Sequence, residues 1–532
     1  GTSPTNLVGR GAGALEGGVV VPEHDALRPR LTRPVALSAL ASTLGLQHRG
    51  SDATVTGLAL ASSAVQPGDL FVALRGVNRH GSEFWPEAKA AGASAILTDD
   101  HGVEVVNDTT LPILRADNPR AVLGAVSAQI YGTVGDDVPT IFGVTGTNGK
   151  TSTAFLLEAI LRGLGQATAL STTAVRQVKG GTFRSSLTTP EAPDIHAMIA
   201  RAREEGVSGI AVEISAQALD KNRLDHVVCD VAGFTNLSHD HLEDFGTMEN
   251  YLAAKAALFT PERARTAVIC VDSTWGQQLA SSVDIPTVTV AHRSSRGAQW
   301  LWESVPADHG ITTLTVDGPL GESITVDVPL TGDHMVANTA LAVVMVVTSG
   351  ISPADFATMG PGTGGIPVFI PGRMEKVSGA RGPQVYVDAG RSADAYEHTL
   401  GALREHTAGQ LIMVCGTSGN RDATKRPIMG ATAARLADVV IVTDDDPRRE
   451  DPDAIRQGLL EGARSVPGTE VHEIPDPSEA IRFAVGRAHD GDTILWTGPG
   501  SQDYRDIGGV KVPYSARSEA RQALSEAGWG QQ

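Results

Sequence analysis

From residue 138 onward, short apolar runs alternate with longer amphipathic stretches. That alternation predicts strands and helices in turn, the pattern of a mostly parallel sheet covered on both faces. Strands are expected at 140–145, 209–215 and 228–235, with helices between them. A helix is expected from Thr153 to Leu164, where Phe155, Leu156, Ile160 and Leu164 recur at helical spacing and Gly163 or Gly165 ends it. A second series begins after Pro371. Its strands are expected at Val385–Asp388, Leu411–Cys415, Val439–Thr443 and Thr493–Thr497. Ahead of both series, residues 34–137 mix short strands and helices. A turn at Pro67-Gly68 leads into an apolar strand reaching Leu74, and helical stretches near 86–92 and 119–130 flank a strand at Ser94–Leu97. Residues 1–33, rich in Gly, Pro and Arg, read as a disordered extension. Gly360–Pro371 reads as a linker.

Length turns this pattern into domains. A chain of 532 residues exceeds one core, and the usual size range gives about three domains. The expected division is 34–137, 138–371 and 372–532. The fold class is α/β, with a central P-loop parallel-sheet domain and a C-terminal Rossmann-like domain. Hydrophobic residues at 41% and charged residues at 20% are globular values. A net charge of −18 disfavours nucleic acid and anionic membranes as partners. An anionic small substrate stays compatible, because a local basic pocket suffices. Cys229, Cys270 and Cys415 lie too far apart for a disulfide framework or a zinc site, which suggests a reducing, cytoplasmic setting. Thr339–Val347 is the longest apolar run. It falls short of the ~20 residues that span a bilayer and reads as a core helix. The working unit is expected to be a monomer.

The chemistry concentrates where strands end, as it does in open α/β sheets. Residues 139–151 read Pro-Thr-Ile-Phe-Gly-Val-Thr-Gly-Thr-Asn-Gly-Lys-Thr: a strand, a Gly-rich turn, Lys150-Thr151, then a helix. That order suits a polyphosphate. Gly143, Gly146 and Gly149 permit the turn, with Thr147 and Asn148 between them. Lys150 reaches the outer phosphates, the Thr151 hydroxyl suits Mg²⁺, and the helix dipole points at the site. The general P-loop pattern is missed by one position, since Val144 stands where the first Gly belongs. Glu213 closes the strand Ala211-Val212-Glu213, a place suited to metal coordination beside the phosphates. Its bland alternative is a strand-end acid paired to a surface lysine. Asn236, then Asp240 and His241, follow the next strand. Asp388, Asp445 and Arg448 fall at strand ends of the C-terminal series.

Taken together, these motifs resemble the Mur ligases, and within them the MurE type, which adds the third residue of the peptidoglycan stem peptide. The resemblance rests on Gly143–Thr153, Thr188-Thr189-Pro190-Glu191, Glu213–Arg223, Asn236–Leu242, the Lys255 block Ala-Ala-Lys-Ala-Ala-Leu-Phe, Gly372-Arg373-Met374-Glu375, and Arg421-Asp422 with Lys425-Arg426-Pro427. It spans about residues 55–520. It implies UDP-sugar-binding, ATP-binding and Rossmann-like amino-acid-binding domains in that order. It also implies a reaction: ATP phosphorylates the carboxylate of UDP-MurNAc-L-Ala-D-Glu, and the amine of a diamino acid displaces phosphate from the acyl phosphate through a tetrahedral intermediate. By resemblance Lys150, Lys255, His241 and Glu213 are catalytic, and Glu213 and His241 hold a second Mg²⁺. Lys255 would be carbamylated and act as a metal ligand; its bland alternative is an exposed helix lysine. Thr188, Thr189, Ser215 and Arg223 align with positions that hold the muramoyl dipeptide, Arg373 and Asp388 with nucleotide contacts, and Ser63 with the uridine site.

Several positions depart from the family pattern. The usual D-Y-A-H-T-P-D is Asp388-Ala389-Gly390-Arg391-Ser392-Ala393-Asp394, so an aromatic and a His are gone and Arg391 is new. Gln217 and Lys221 replace the common His and Gln, and Ala61-Ser62-Ser63 replaces D-S-R. The D-N-P-R of diaminopimelate-adding members becomes Asp445-Asp446-Pro447-Arg448. Its Arg, which grips a distal carboxylate, is retained. The family's G-K-G-H-E-D-Y becomes Gly498-Pro499-Gly500-Ser501-Gln502-Asp503-Tyr504, in which Gln502 replaces an acid and Asp446 could compensate. These features favour meso-diaminopimelate slightly over lysine. Asp117-Asn118-Pro119-Arg120 is read as a decoy, a helix start with Pro in its first turn. Two other readings stay open: a Mur-type ligase acting on another carboxylate, and a catalytically degenerate nucleotide-binding paralogue.

Overall fold

The computed structural model describes residues 27–76, 78–107, 110–183, 187–240, 242–295, 297–307, 311–330 and 332–530. His241 therefore lies outside the described residues, as do 1–26 of the expected extension. Residues 27–33 do not behave as an extension. Leu27 is buried, and the Arg28 guanidinium forms a fork on the Asp69 carboxylate at 2.8 and 2.9 Å. A bidentate pair of this kind fixes the chain against the first sheet.

The described residues form three principal sheets. The first runs Gln47–Arg49, Ile113–Arg115, Ala95–Thr98, Asp69–Val72, Gly57–Ala59, and is parallel except for its first pairing. The sequence Asp117–Arg120 opens a helix, Pro119–Tyr131, with the Asn118 side chain accepting from the backbone N–H groups of Arg120 and Ala121. The decoy is thus an N-cap with Pro at the first helical position.

The central sheet is eleven-stranded. Its parallel heart runs Thr168–Ser171, Gly209–Glu213, Thr140–Thr145, Cys229–Phe234, Ala264–Cys270, Thr287–His292, Trp300–Pro306. From Thr140–Thr145 the chain goes first to one side of the sheet and then to the other. That strand is the topological switch point, and the Gly-rich turn leaves from its carboxyl end. Beyond the expected strands at 140–145, 209–215 and 228–235, the sheet adds Thr168–Ser171, Ala264–Cys270, Thr287–His292 and Trp300–Pro306, the hairpin Arg176–Val178/Gly181–Phe183 at one edge, and the antiparallel strands Thr312–Asp317 and Ser323–Val328 at the other. Helices Lys150–Gly163 and Asp333–Thr348 bury one face of the sheet, and the expected core helix at 339–347 lies inside the latter.

Gly360–Pro371 is more than a spacer. A 3₁₀ segment, Pro353–Met359, packs along the last strand, and the Ile366 N–H donates to the Asp327 carbonyl at 2.9 Å. Phe356, Met359, Ile366 and Ile370 are buried in the central core, and Arg162 donates to the Pro367 carbonyl at 2.7 Å. The third sheet follows, in the order Glu375–Lys376, Gln384–Asp388, Thr493–Thr497, Leu411–Cys415, Val439–Val442, Glu470–Glu473. It is parallel after its first pairing. Among the described residues no helix is long and apolar enough to cross a membrane.

Candidate functional site

The Gly-rich turn is built by two glycines and a clamp. Gly146 and Gly149 have φ of 147° and 85°, where side chains other than Gly are strained. A Cβ at Gly146 would overlap the Thr235 hydroxyl, and one at Gly149 the Asn338 amide. Gly143, expected as part of the turn, sits inside the strand instead. Its missing side chain makes room for Cys229 Sγ and Ile214, each 2.6 Å from where a Cβ would be. Asn236 fixes the loop. Its Oδ1 accepts from the Asn148 N–H at 2.9 Å, and its Nδ2 donates to the Asn148 carbonyl at 3.2 Å. Its own carbonyl accepts from the Thr147 N–H at 2.9 Å.

Two amines converge on this loop. Lys150 Nζ donates to the carbonyls of Gly146 and Thr147 at 3.0 and 2.8 Å, and Lys255 Nζ donates to the same Gly146 carbonyl at 2.8 Å. Lys255 is 1% exposed and lies over the Tyr251 ring, which removes the exposed-lysine alternative. Burial, and then the Lys150 charge, hold the Lys255 ammonium well below the usual lysine range, against the pull of Asp240. Burial also lowers Lys150; Glu213 opposes this and Arg373 adds to it.

Beside them lies Glu213, buried at its strand end. Its Oε2 accepts from Thr151 Oγ1 at 2.9 Å, from the Thr173 N–H at 2.9 Å and from Thr173 Oγ1 at 3.2 Å, so the surface-lysine alternative fails as well. Arg373 reaches in from the segment before the third sheet and donates to Thr151 Oγ1 at 3.0 Å. Among the described residues no group of three or more His, Cys, Asp or Glu side chains is arranged to hold a metal ion. Glu213 and the Thr151 and Thr173 hydroxyls gather oxygens of the kind a hard cation takes.

Thr189, Ser215 and Arg223 hold one another. Thr189 Oγ1 donates to the Glu213 carbonyl and accepts from the Ser215 N–H; Ser215 Oγ caps the helix Ala216–Asp220. Arg223 pairs with Glu191 at 3.2 Å, and Glu191 also takes Arg120 at 3.1 Å. Thr188 accepts from Thr173 Oγ1 at 3.0 Å. Ser63 is exposed in the turn Ser62–Ala64 and does not line the same cleft.

The third sheet closes over this site. Asn148 donates to Asp394 at 2.8 Å, and Lys425 pairs with Asp240 at 2.8 Å. Asp388 organises backbone: its carboxylate accepts from the Met374 and Gly390 N–H groups, and its carbonyl from Gly498 and Gly500. A cavity of about 810 Å³ results, lined by Lys150, Thr188, Glu213, Arg223, Lys255 and Arg448, among others. His334 and Asn338 also line it. Both escaped the sequence reading. Their signal is two polar residues four apart on an otherwise apolar helix, which puts them on one face.

Asp445, Asp446 and Gln502 stand behind that cavity and are tied to Arg391 rather than open to it. The suggestion that Asp446 replaces a lost acid is thereby corrected: Asp446 also accepts from the Asp506 N–H at 3.1 Å and from Gln502 at 3.3 Å. Arg448, at φ 54°, lines the cavity, and its guanidinium makes no hydrogen bond or ion pair among the described residues. Burial, with Arg421 and Arg391 nearby, lowers its pKa from the ordinary arginine value.

Comparisons with known proteins agree with this layout. Three family models match: "Mur ligase family, catalytic domain" over 54–131, "Mur ligase middle domain" over 144–346, and "Mur ligase, glutamate ligase domain" over 372–500. A UDP-N-acetylmuramyl-tripeptide synthetase of Leifsonia xyli subsp. xyli is 48% identical over 513 residues, 96% of this chain and 99% of that one. A UDP-N-acetylmuramoyl-L-alanyl-D-glutamate–2,6-diaminopimelate ligase of Streptomyces coelicolor is 42% identical over 506 residues, covering 94% and 99%. A solved structure of a ligase with the latter name matches with a TM-score of 0.59 at 27% identity, over 89% of this chain and 95% of that one.

Proposed function

Because the chain belongs to the Mur ligase family, we propose that it is an ATP-dependent ligase that joins an amino acid to UDP-MurNAc-L-Ala-D-Glu in peptidoglycan precursor synthesis. One observation carries this: a single cleft is lined at once by the phosphate loop, by Thr188 and Arg223 of the dipeptide motifs, and by Arg448 of the acceptor motif. A reaction that activates one carboxylate and delivers one amine to it needs these three walls together.

The residues fit their expected partners. Thr147, Asn148 and Gly149 of the loop and Lys150 at the start of the helix Lys150–Gly163 line the cleft, where a helix N-terminus suits a polyphosphate. Lys150 is held on the loop's own carbonyls, from which it would swing to the outer phosphates of the co-substrate ATP. The carboxylate and hydroxyls of Glu213, Thr151 and Thr173 suit Mg²⁺. When bound, that ion would neutralise phosphate oxygens. Arg373, at 3.0 Å from Thr151 Oγ1, adds a second positive charge on the same side.

Lys255 is read as carbamylated in the working enzyme. Two amines share the Gly146 carbonyl, and the buried one is driven toward its neutral form. A neutral amine adds to CO₂, forming the N–C bond and releasing a proton. The product carboxylate would face Lys150, so repulsion becomes attraction. At the acceptor wall, the open Arg448 fork supports an amino acid with a distal carboxylate, such as meso-diaminopimelate. The dependence on ATP supports a cytoplasmic setting.

Mass spectrometry of products from UDP-MurNAc-L-Ala-D-Glu, ATP and a panel of amino acids tests the proposal. Phosphate release is expected only with dipeptide and amino acid both present. Release without the dipeptide, or no ligated product with any amino acid, would overturn it.

A further inference from the structure

Arg391 forms the wall between the cleft and the acids of the acceptor motif. Its side chain lines the cleft. Behind it, Nη2 lies 2.9 Å from Asp445 Oδ2 and 3.5 Å from Asp446 Oδ2, and donates to Gln502 Oε1 at 2.8 Å. Asp445 and Asp446 are 7% and 4% exposed. Arg505 closes the far side, its Nε donating to the Asp445 carbonyl at 2.8 Å. The groups best suited to receive an ammonium from the incoming amino acid thus already hold a guanidinium. Opposite them, the cleft presents Arg421 and Arg448.

The balance of charge decides what enters. An acceptor with a distal ammonium meets Arg391, Arg421 and Arg448 at this wall, and the two acids of the acceptor motif, Asp445 and Asp446, are already paired with Arg391. To capture Asp446 it would have to displace the Arg391 guanidinium, whose Nη2 is shared by Asp445, Asp446 and Gln502, leaving that charge uncompensated. A distal carboxylate or hydroxyl meets donors instead. Burial pulls the Arg391 pKa down, but Asp445 and Asp446 outweigh it and leave the guanidinium above its ordinary value. Its charge is therefore permanent.

Resting on the acceptor site assigned above, we propose that Arg391 is a built-in cation in the place of the acceptor's distal ammonium. The site then selects an α-amino acid with an anionic or uncharged side-chain terminus and does not read a second amine.

The test compares kcat/KM for three acceptors with UDP-MurNAc-L-Ala-D-Glu and Mg-ATP: meso-diaminopimelate, L-2-aminopimelate, which lacks only the distal amine, and L-lysine, which lacks only the distal carboxylate. The wild-type enzyme is expected to use 2-aminopimelate within about 10-fold of diaminopimelate, whereas a site built around the amine rejects such an analogue by orders of magnitude. Arg391→Ala, which frees the acids, should move the ratio toward diaminopimelate by about 10-fold or more. A larger wild-type preference for diaminopimelate, or a ratio unchanged in the variant, overturns the proposal. If the variant does not fold, the wild-type ratio decides alone. Wild-type preference for lysine over both dicarboxylates overturns this inference while the ligase reading stands. No product with any amino acid overturns both.

Discussion

Replacing Lys255 separates a packing role from a chemical one. Lys255→Met keeps an unbranched stem in the buried site and removes the amine. The Gly146 carbonyl keeps Lys150 as a donor at 3.0 Å, so no acceptor is stranded, and the lost hydrogen bond costs about 1 kcal/mol. Relief of the buried amine offsets part of that. Lys255→Ala removes three methylenes besides the amine, at ~0.8 kcal/mol each plus a cavity, for about 2–4 kcal/mol. If Lys255 only packs, Met should sustain turnover and Ala should not. If it supplies a carboxylate, both should lose about 10²-fold or more, because a preorganised charge is gone. Acetate or formate should then partly restore Lys255→Ala, where space has opened, and not Lys255→Met, where the thioether fills it. Bicarbonate should restore neither. The assay is substrate-dependent phosphate release, with thermal unfolding to establish folding. Near wild-type turnover in Lys255→Met refutes the reasoning, as does an intact mass showing unmodified lysine in fully active enzyme.

Other expectations follow from the same geometry. Lys150→Ala should fold and lose about 10²-fold or more in turnover, since a positioned charge on the transferring phosphoryl group is lost; a near-normal rate in steady-state assays would remove the phosphate-loop assignment. Arg448→Ala should weaken a dicarboxylate acceptor by about 2–5 kcal/mol and leave lysine nearly unchanged, read as KM for each. His196, buried between Thr133 Oγ1 and the Asp225 carbonyl, is pushed down to about 4, mainly by burial. Between pH 6.5 and 4 the unfolded chain binds a proton that the folded chain refuses. Stability should therefore fall as pH drops through that window, by up to about 3 kcal/mol. His196→Gln should flatten the fall in urea titrations, and an unchanged slope would count against it.

The parallel strands that were readable, among them 140–145, 411–415 and 493–497, are short apolar runs closed by Gly, Asp or Thr, whereas Thr168–Ser171, Ala264–Cys270, Thr287–His292, Trp300–Pro306 and Glu470–Glu473 were not expected. Leu411–Cys415 and Thr493–Thr497 fall at the expected residues. The antiparallel edge, Thr312–Asp317 with Ser323–Val328, was not readable, because half-buried strands alternate polar and apolar residues and lack such runs. At the site, sequence order placed Lys150, Thr151 and Glu213 together because one strand end and its neighbour in the sheet carry them. It could not show that Lys150 and Lys255 share a carbonyl, since 105 positions separate them and only the fold brings them together. Arg391 was visible as an odd residue, but its partners Asp445, Asp446 and Gln502 sit on other strand ends. Asp388 stood out for its position, which says nothing about its carboxylate being taken up by two backbone N–H groups.

The ribbon from Pro353 to Ile370 joins two mechanical jobs. It lies along Ser323–Val328 and covers part of that edge of the large sheet, with the Ile366 N–H on the Asp327 carbonyl. The same ribbon runs directly into Arg373, whose guanidinium rests on Thr151. Gasket and tether are one piece of chain. Buried Ile366 and Ile370 anchor it to the central core. The chain from buried Ile370 to Arg373 is only three residues long, so the guanidinium on Thr151 is held close to the core that anchors the ribbon.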